Sequence, residues 1–394
     1  MSAVQIEGEC DAVFERVRAV FAHNFSELRE QGAALAIHIA GRKVVDLWGG
    51  VRDRASPSKP AHPWTRDTLA TVYSSTKGLA ALCVQQLIGR GALDPDRAVA
   101  SYWPEFAQQG KAEISLRTLL CHSAGLAVID APLPHAAFYD QATLANALAA
   151  QAPNWQPGAQ HGYHAQTFGF LLAEIVRRVA GQTLGQYLQA HIAGPLDADA
   201  YVGLPAELEA RVAKVTRPLS ELTPAGEVDL GAVWKREPNS LTARAFNNPA
   251  PQPGVAQTRA WRAAELPSSN GHASALGLSR IYAAASGVAA SNGSAAVFDA
   301  GCGQRCSQEH AFGADLVLRV RTRFGPGFML SQPDGTGWFG PNPRSFGHPG
   351  MGGSVGFADP DAHIGFGYVM NRAGAGILID ERPRRLIEAL YACI

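Results

Sequence analysis

Two β-prone stretches lie near one end of the chain and two near the other, with helical patterns between them. This order constrains the fold more than any single residue does. Near the start, Ala34-Leu35-Ala36-Ile37-His38-Ile39-Ala40 and Val44-Val45-Asp46-Leu47-Trp48 flank a Gly41-Arg42-Lys43 turn and read as a hairpin. Near the end, 354–358 and 363–370 read as strands joined by Asp359-Pro360-Asp361. Apolar spacing predicts helices over 8–30, 76–89, 113–121, 142–150, 167–180, 274–289 and 381–392. Gly181 is expected as a left-handed cap at the end of one of them. Strands from both termini with helices between them suggest one antiparallel sheet in an α+β layered architecture, not alternating βαβ units. The expected division is a sheet domain from 1–70 and 315–394 and a mainly helical domain from 71–314. Within the latter, 203–270 is irregular and Pro-rich and is expected to shape a cleft.

Composition narrows the class. Hydrophobic residues make up 46% of 394, which excludes a disordered chain. Lys plus Arg and Asp plus Glu are both 34, so the net charge is zero. A nucleic-acid partner or an anionic membrane surface would call for a basic excess, so neither is expected. No window approaches the ~18 apolar residues of a spanning helix. The start, MSAVQIEGECDAVFERV, has no basic region followed by an apolar stretch, and a cytoplasmic protein is expected. The six cysteines form no CxxC pair, so free thiols and no metal site are expected.

The strongest local signal is Tyr73-Ser74-Ser75-Thr76-Lys77, an S-x-x-K at the start of an apolar helix. Residues three apart share a helix face, so the Ser74 hydroxyl and the Lys77 amine converge. A serine becomes nucleophilic when a neighbouring base takes its proton, and a lysine is such a base once burial or a nearby positive field lowers its pKa. The bland alternative is Ser74 as a helix cap with Lys77 in solvent. A second copy, Ser56-Pro57-Ser58-Lys59 before Pro60, reads as loop because the prolines oppose a helical turn.

Further marks follow in order: Ile114-Ser115-Leu116-Arg117-Thr118-Leu119-Leu120-Cys121-His122-Ser123-Ala124-Gly125-Leu126, Trp155-Gln156-Pro157-Gly158, Tyr163-His164-Ala165 and Phe346-Gly347-His348-Pro349-Gly350-Met351-Gly352-Gly353. Together with the S-x-x-K they make the chain resemble, from about residue 10 to the C-terminus, the serine β-lactamase and penicillin-binding protein superfamily. Within it the likeness is to family VIII carboxylesterases, the branch similar to class C β-lactamases. The resemblance implies a β-lactamase/DD-peptidase-like fold and a Ser74 nucleophile whose base role is shared by Lys77 and Tyr163. A phenol beside an ammonium is expected to have a lowered pKa. The resemblance also implies an oxyanion hole from the N–H groups of Ser74 and Met351, and a cleft lined by His164, His348 and Gly350.

Two departures shape the expected substrate. Relatives that cleave amides carry Asn where Ala165 stands, and a threonine hydroxyl that helps bind a carboxylate where Pro349 stands. Both point away from β-lactams and D-amino-acid peptides and leave ester attack untouched; the resemblance implies a small-molecule ester with a short acyl group. Acyl transfer shares the acyl-enzyme and stays open, as does weak β-lactamase or peptidase activity. No metal or organic cofactor is needed.

Rival signals are weaker. Gly352-Gly353-Ser354-Val355-Gly356 matches the G-x-S-x-G elbow of α/β-hydrolases, but strands rather than a helix are expected after it. His161 and His164 form H-x-x-H without further ligands, with His161 expected at the surface; His122 is expected to be structural. Arg319, Arg321 and Arg323 are expected along one solvated strand face. A non-catalytic scaffold would keep the fold without the site, which the intact Ser74, Lys77 and Tyr163 set argues against.

Overall fold

The computed structural model describes residues 4–55, 60–219, 222, 227–287, 296–332 and 338–394. The second S-x-x-K copy, 56–59, lies outside them. The strands in chain order are β1 (Ile6–Cys10), β2 (Gly32–Ile39), β3 (Arg42–Asp53), β4 (His62–Pro63), β5 (Ala70–Tyr73), β6 (Ala200–Tyr201), β7 (Thr216–Leu219), β8 (Gly271–Ala273), β9 (Ala311–Ala314), β10 (Arg321–Gly325), β11 (Phe328–Leu330), β12 (Phe346–Pro349), β13 (Val355–Asp359), β14 (Ile364–Met370) and β15 (Arg372–Gly374). The helices are α1 (Glu15–Glu27), α2 (Thr76–Gly89), α3 (Leu116–Leu120), α4 (Gln141–Ala150), α5 (Thr167–Ala180), α6 (Leu184–Leu188), α7 (Leu230–Arg236), α8 (Leu241–Asn247), α9 (Arg259–Ala263), α10 (Ala275–Ala285), α11 (Cys302–Ser307) and α12 (Glu381–Tyr391).

The expected α+β architecture is present. A ten-stranded sheet runs β1-β3-β2-β14-β13-β12-β11-β10-β9, with β4 attached to β3. Its central pairing joins the two ends of the chain: β14 lies antiparallel to β2, from Ile364 opposite Ile39 to Met370 opposite Ala33. The β2–β3 turn is Ala40-Gly41, one residue earlier than expected. Both residues have positive φ, 48° and 77°, the conformation that matches the twist of a two-residue hairpin.

Helices cover both faces. On one, Phe14, Val17 and Phe21 near the start and Leu386, Ile387 and Leu390 of α12 form a core with Ile364, Phe366 and Tyr368 of β14. On the other, α2 and α10 pack with the helical middle. Alternation along β14 explains the layering, because successive side chains point to opposite faces. Phe366 and Tyr368 go to the first core, while Gly365 and Gly367 meet α10. A Cβ on Gly365 would stand 2.2 Å from Ala283 N and 2.3 Å from Ser279 O, so the helix rests directly on the strand backbone.

Several expectations are corrected. The segment 8–30 is not one helix: β1 pairs with β3 along the sheet edge before α1 begins, and Val13 is exposed. Asp11 turns the chain between them, with its carbonyl accepting from Phe14 N at 2.8 Å. The stretch 203–270 holds, among the described residues, the short helices α7, α8 and α9 and the short strand β7. Arg319 lies before β10 at φ 58°, so it shares no strand face with Arg321 and Arg323. It pairs with Glu237, Arg323 pairs with Glu309, and Arg321 lies over the Phe312 ring. Gly181 caps α5 at φ 68°, as expected. Among the described residues, no helix is long and apolar enough to cross a membrane.

Gly365→Ala forces a methyl group against backbone atoms of α10. Overpacking of this kind costs about 1–3 kcal/mol. A lowered urea midpoint is the expected result; an unchanged one would mean that α10 does not need this close approach.

Candidate active site

The S-x-x-K segment is a strand–turn–helix. β5 ends at Tyr73, whose φ of 42° turns the chain sharply into α2. A bulky residue with positive φ is a strained conformation that its surroundings must hold. Thr76 supplies part of the hold: its hydroxyl donates to Tyr73 O and accepts from Gly271 N on β8 at 2.8 Å. Ser74 sits in the turn, not in the helix, and the residue before the first helical position is Ser75. Ser74 is therefore not the cap.

The hydroxyl of Ser75 makes no capping bond either. It donates to His348 O on β12 at 3.0 Å. Ser354, just before β13, donates to Val72 O at 2.9 Å. These two bonds fasten the β12–β13 connection to the turn that carries Ser74. The approach is so close that a Cβ on Gly350 would stand 2.1 Å from Val72 O. Ser354 is wholly buried and a strand follows it, which excludes the G-x-S-x-G elbow. Met351, next to Gly350, is exposed at the surface. Among the described residues, neither Ser74 N nor Met351 N has a hydrogen-bond partner.

Lys77 has no exposed surface. Its Nζ lies 3.3 Å from Ser74 Oγ, donates to Ser268 O at 2.9 Å, and stands 4.7 Å from the centre of the Tyr163 ring. No carboxylate pairs with it among the described residues. Burial therefore holds its ammonium well below the ordinary value of 10.5.

Tyr163 is buried beside it, with the centre of its ring 4.7 Å from Lys77 Nζ. The expected lowering of the phenol pKa is not found. Burial pushes it up, the nearby Ser74 hydroxyl opposes this, and the Asp315 charge adds to the rise. Desolvation acts against the charged form of both groups, so it favours neutral amine beside neutral phenol. Asp315 positions this tyrosine. Its carboxylate accepts from Tyr163 N at 3.0 and 3.1 Å, from Val317 N and Leu318 N at 2.8 Å each, and from the Thr322 hydroxyl at 3.1 Å.

His161 is buried rather than exposed, with Nε2 2.9 Å from Thr322 Oγ1. His122 is structural: its Nδ1 accepts from His164 N at 3.1 Å, and its ring packs against Phe168 and Phe324. His164 is wholly buried and both ring nitrogens are engaged. Nε2 accepts from Leu126 N at 3.1 Å, and Nδ1 lies 2.7 Å from Gly162 O. It has no nitrogen left for a substrate, so the expectation that it lines the cleft is not carried further.

His348 differs. Its ring centre is 5.8 Å from that of Tyr163, and Nδ1 lies 2.7 Å from Pro349 O. A carbonyl only accepts, so Nδ1 carries the proton and Nε2 presents a lone pair. Nε2 is buried without a partner among the described residues. Burial first, and the Lys77 charge second, push this imidazole down to about 3. Three ionisable groups, Lys77, Tyr163 and His348, thus meet where burial disfavours the charge of each.

The structure brings Ser74, Lys77, Tyr163, His348 and the turn at Gly350 and Met351 together, and leaves His164 in a structural role. Sequence reasoning missed Ser75, Ser354, Ser268 and Asp315. Ser75 and Ser354 lay inside motifs already singled out, while nothing local marked Asp315 or Ser268. Among the described residues, no group of three or more His, Cys, Asp or Glu side chains is placed to hold a metal ion.

Residues 17–390 match the beta-lactamase family model. The chain is 31% identical over 372 residues to the esterase/beta-lactamase LipL of Mycobacterium tuberculosis, covering 93% of this chain and 83% of that protein. It superposes on a crystal structure of a family VIII carboxylesterase with a TM-score of 0.88 and 38% identity, covering 99% of this chain and 100% of the other. The same values hold for a penicillin-binding protein homologue from Caulobacter crescentus. The chain belongs to the beta-lactamase family of serine hydrolases.

Proposed function

We propose that the chain is a serine carboxylesterase that hydrolyses uncharged, short-acyl esters through an acyl-enzyme on Ser74. The observation that carries this reading is Lys77, buried without an acidic partner and 3.3 Å from Ser74 Oγ. An amine kept neutral by burial is a base at neutral pH.

Ser74 Oγ attacks the ester carbonyl carbon, and its proton passes to Lys77 Nζ. The carbonyl oxygen takes up negative charge between the N–H groups of Ser74 and Met351, both without another partner among the described residues. The tetrahedral intermediate expels the alcohol, which takes the proton back from Lys77. Water then attacks the acyl-enzyme by the same route and releases the acid. Tyr163 orients the Ser74 hydroxyl as a neutral phenol, so the amine alone carries the base role.

Substrate choice follows from what the cleft offers. His348 presents a lone pair rather than a cation, and Pro349 has no hydroxyl, so a substrate carboxylate finds no partner there. Ala165 offers nothing to a substrate amide. The relative named for both esterase and β-lactamase activity supports residual β-lactam hydrolysis as a second reading. Acyl transfer to a competing alcohol would use the same acyl-enzyme.

Incubation with a fluorophosphonate and a short-chain aryl ester tests the nucleophile. Label on the peptide carrying Ser74, with loss of turnover, is expected. Ser74→Ala is expected to lose on the order of 10³-fold or more in kcat. Full activity in that variant would overturn the proposal.

The base is tested by pH. Because burial lowers the Lys77 pKa, its amine is neutral at a pH where an exposed lysine is still charged. kcat/KM is therefore expected to rise with pH and level off well below roughly pH 10, the ordinary lysine range. Lys77→Arg, which stays protonated, is expected to be inactive at every pH. Tyr163→Phe is expected to lower kcat yet keep the same acid limb, by less than the ~10²–10⁴-fold assigned to a general base. An acid limb near pH 10, or one abolished by Tyr163→Phe, would transfer the base role to the phenol.

A further inference from the structure

We infer that Arg382, on α12, is a positioning residue that sets the direction of the Met351 N–H. This rests on the reading of that N–H as an oxyanion donor.

The turn Gly350-Met351-Gly352-Gly353 is closed by Gly353 N donating to Gly350 O at 3.0 Å. In a planar trans peptide the C=O and the following N–H point in opposite directions. With Gly350 C=O directed into the turn, Met351 N–H is directed out of it. Gly350 itself abuts the Ser74 turn at Val72 and Ser75. The aim of Met351 N–H therefore depends on where the Gly352–Gly353 half of the turn is held.

Arg382 holds it. The side chain has no exposed surface, and its Nη2 donates to Gly352 O at 2.6 Å. That carbonyl also accepts from Gly374 N at 2.9 Å. All five N–H donors of the guanidinium have acceptors: Nε and Nη2 reach Asp380, and Nη1 reaches Glu30 at 3.1 Å and Arg372 O at 2.6 Å. Glu30 precedes β2 and is itself fixed by the Tyr368 hydroxyl, while Asp380 caps α12. The planar fork is thus locked from both chain termini before it touches the turn. Gly352 and Gly353 have φ of 87° and 120°. A Cβ on Gly353 would stand 2.6 Å from both Arg382 Nη2 and Asp380 Oδ2. The turn is pressed onto the clamp as closely as backbone allows. Ester chemistry does not require a buried arginine here, and no substrate could reach it.

The test compares Arg382→Lys with the parent at a temperature well below unfolding. A lysine keeps the charge but cannot hold the carbonyl and both carboxylates in one plane. The expected result is a fall in kcat of about tenfold, a fraction of the ~10²–10³-fold of a lost oxyanion donor, with KM changed little. A boronic acid that forms a tetrahedral adduct on Ser74 is expected to lose affinity by the same factor. A lowered Tm with kcat and boronate affinity unchanged would overturn the inference and leave Arg382 a purely structural clamp. If Arg382→Lys does not fold, Glu30→Gln releases one side of the fork, and the same parallel loss of kcat and boronate affinity is expected. Met351→Pro removes the N–H itself. If that variant keeps full kcat and boronate affinity, the oxyanion reading fails and this inference with it; if it loses both while the Arg382 and Glu30 variants lose neither, only the positioning role fails.

Discussion

Helix α2 is buried on every side, and Lys77 is buried with it. A helix apolar all round belongs in the interior, and TKGLAALCVQQLIG adds Ala80, Ala81 and Val84 beyond the stripe of Leu79, Leu82, Cys83 and Leu87. The sheet, α5 and α6 close over it. A lysine in its first turn cannot reach solvent from there. Without a carboxylate beside it, its charged form is heavily penalised. The proton is held less tightly because the fold has no place for the charge, and the position three residues after Ser74 makes that useful. The neutrality of Tyr163 and His348 has the same origin, since all three lie in one desolvated volume.

What could be read from the sequence was what local pattern encodes. The strand IGFGYVM, the α5 stripe ending at Gly181 and the S-x-x-K spacing each carry their evidence within a few residues, and each appears where the pattern put it. The first strand did not show, because Ile6–Cys10 is a short polar edge strand paired on one side only. An edge strand has little apolar alternation to display. The supports of the site are invisible for another reason. Ser75 bonds a carbonyl 273 residues away, and Asp315 receives an N–H from 152 residues upstream. No local pattern contains such a pairing.

The errors about protonation and exposure share a cause. A phenol next to an ammonium is expected to be acidified when both are wet. Burial of the phenol itself is the larger effect and raises its pKa instead. Likewise His161, amid Gln160 and Gly162, looks like a surface residue, yet it lies beneath Thr322 and Asp315. Chain proximity says which groups meet. Only the enclosing layers say how wet the meeting place is, and that decides the charge each group carries.

The same interior treats two sets of ionisable groups in opposite ways. Arg382 keeps its charge although burial opposes it, because every donor of the guanidinium is met and Glu30 and Asp380 face it. A satisfied buried pair is tolerable; an unmatched buried charge is not. Lys77 is the unmatched case, and burial drives its pKa well down. On the proposed reading, charge then appears in the site only as the reaction proceeds, as an ammonium at Lys77 and an oxyanion on the substrate. No standing cation is there to meet the oxyanion, so backbone N–H dipoles must do so, and dipoles act only when correctly aimed. A neutral site therefore places a demand on backbone rigidity that a charged one would not. The permanent ionic cluster, set where it can be fully satisfied, lies against the turn that has to meet that demand.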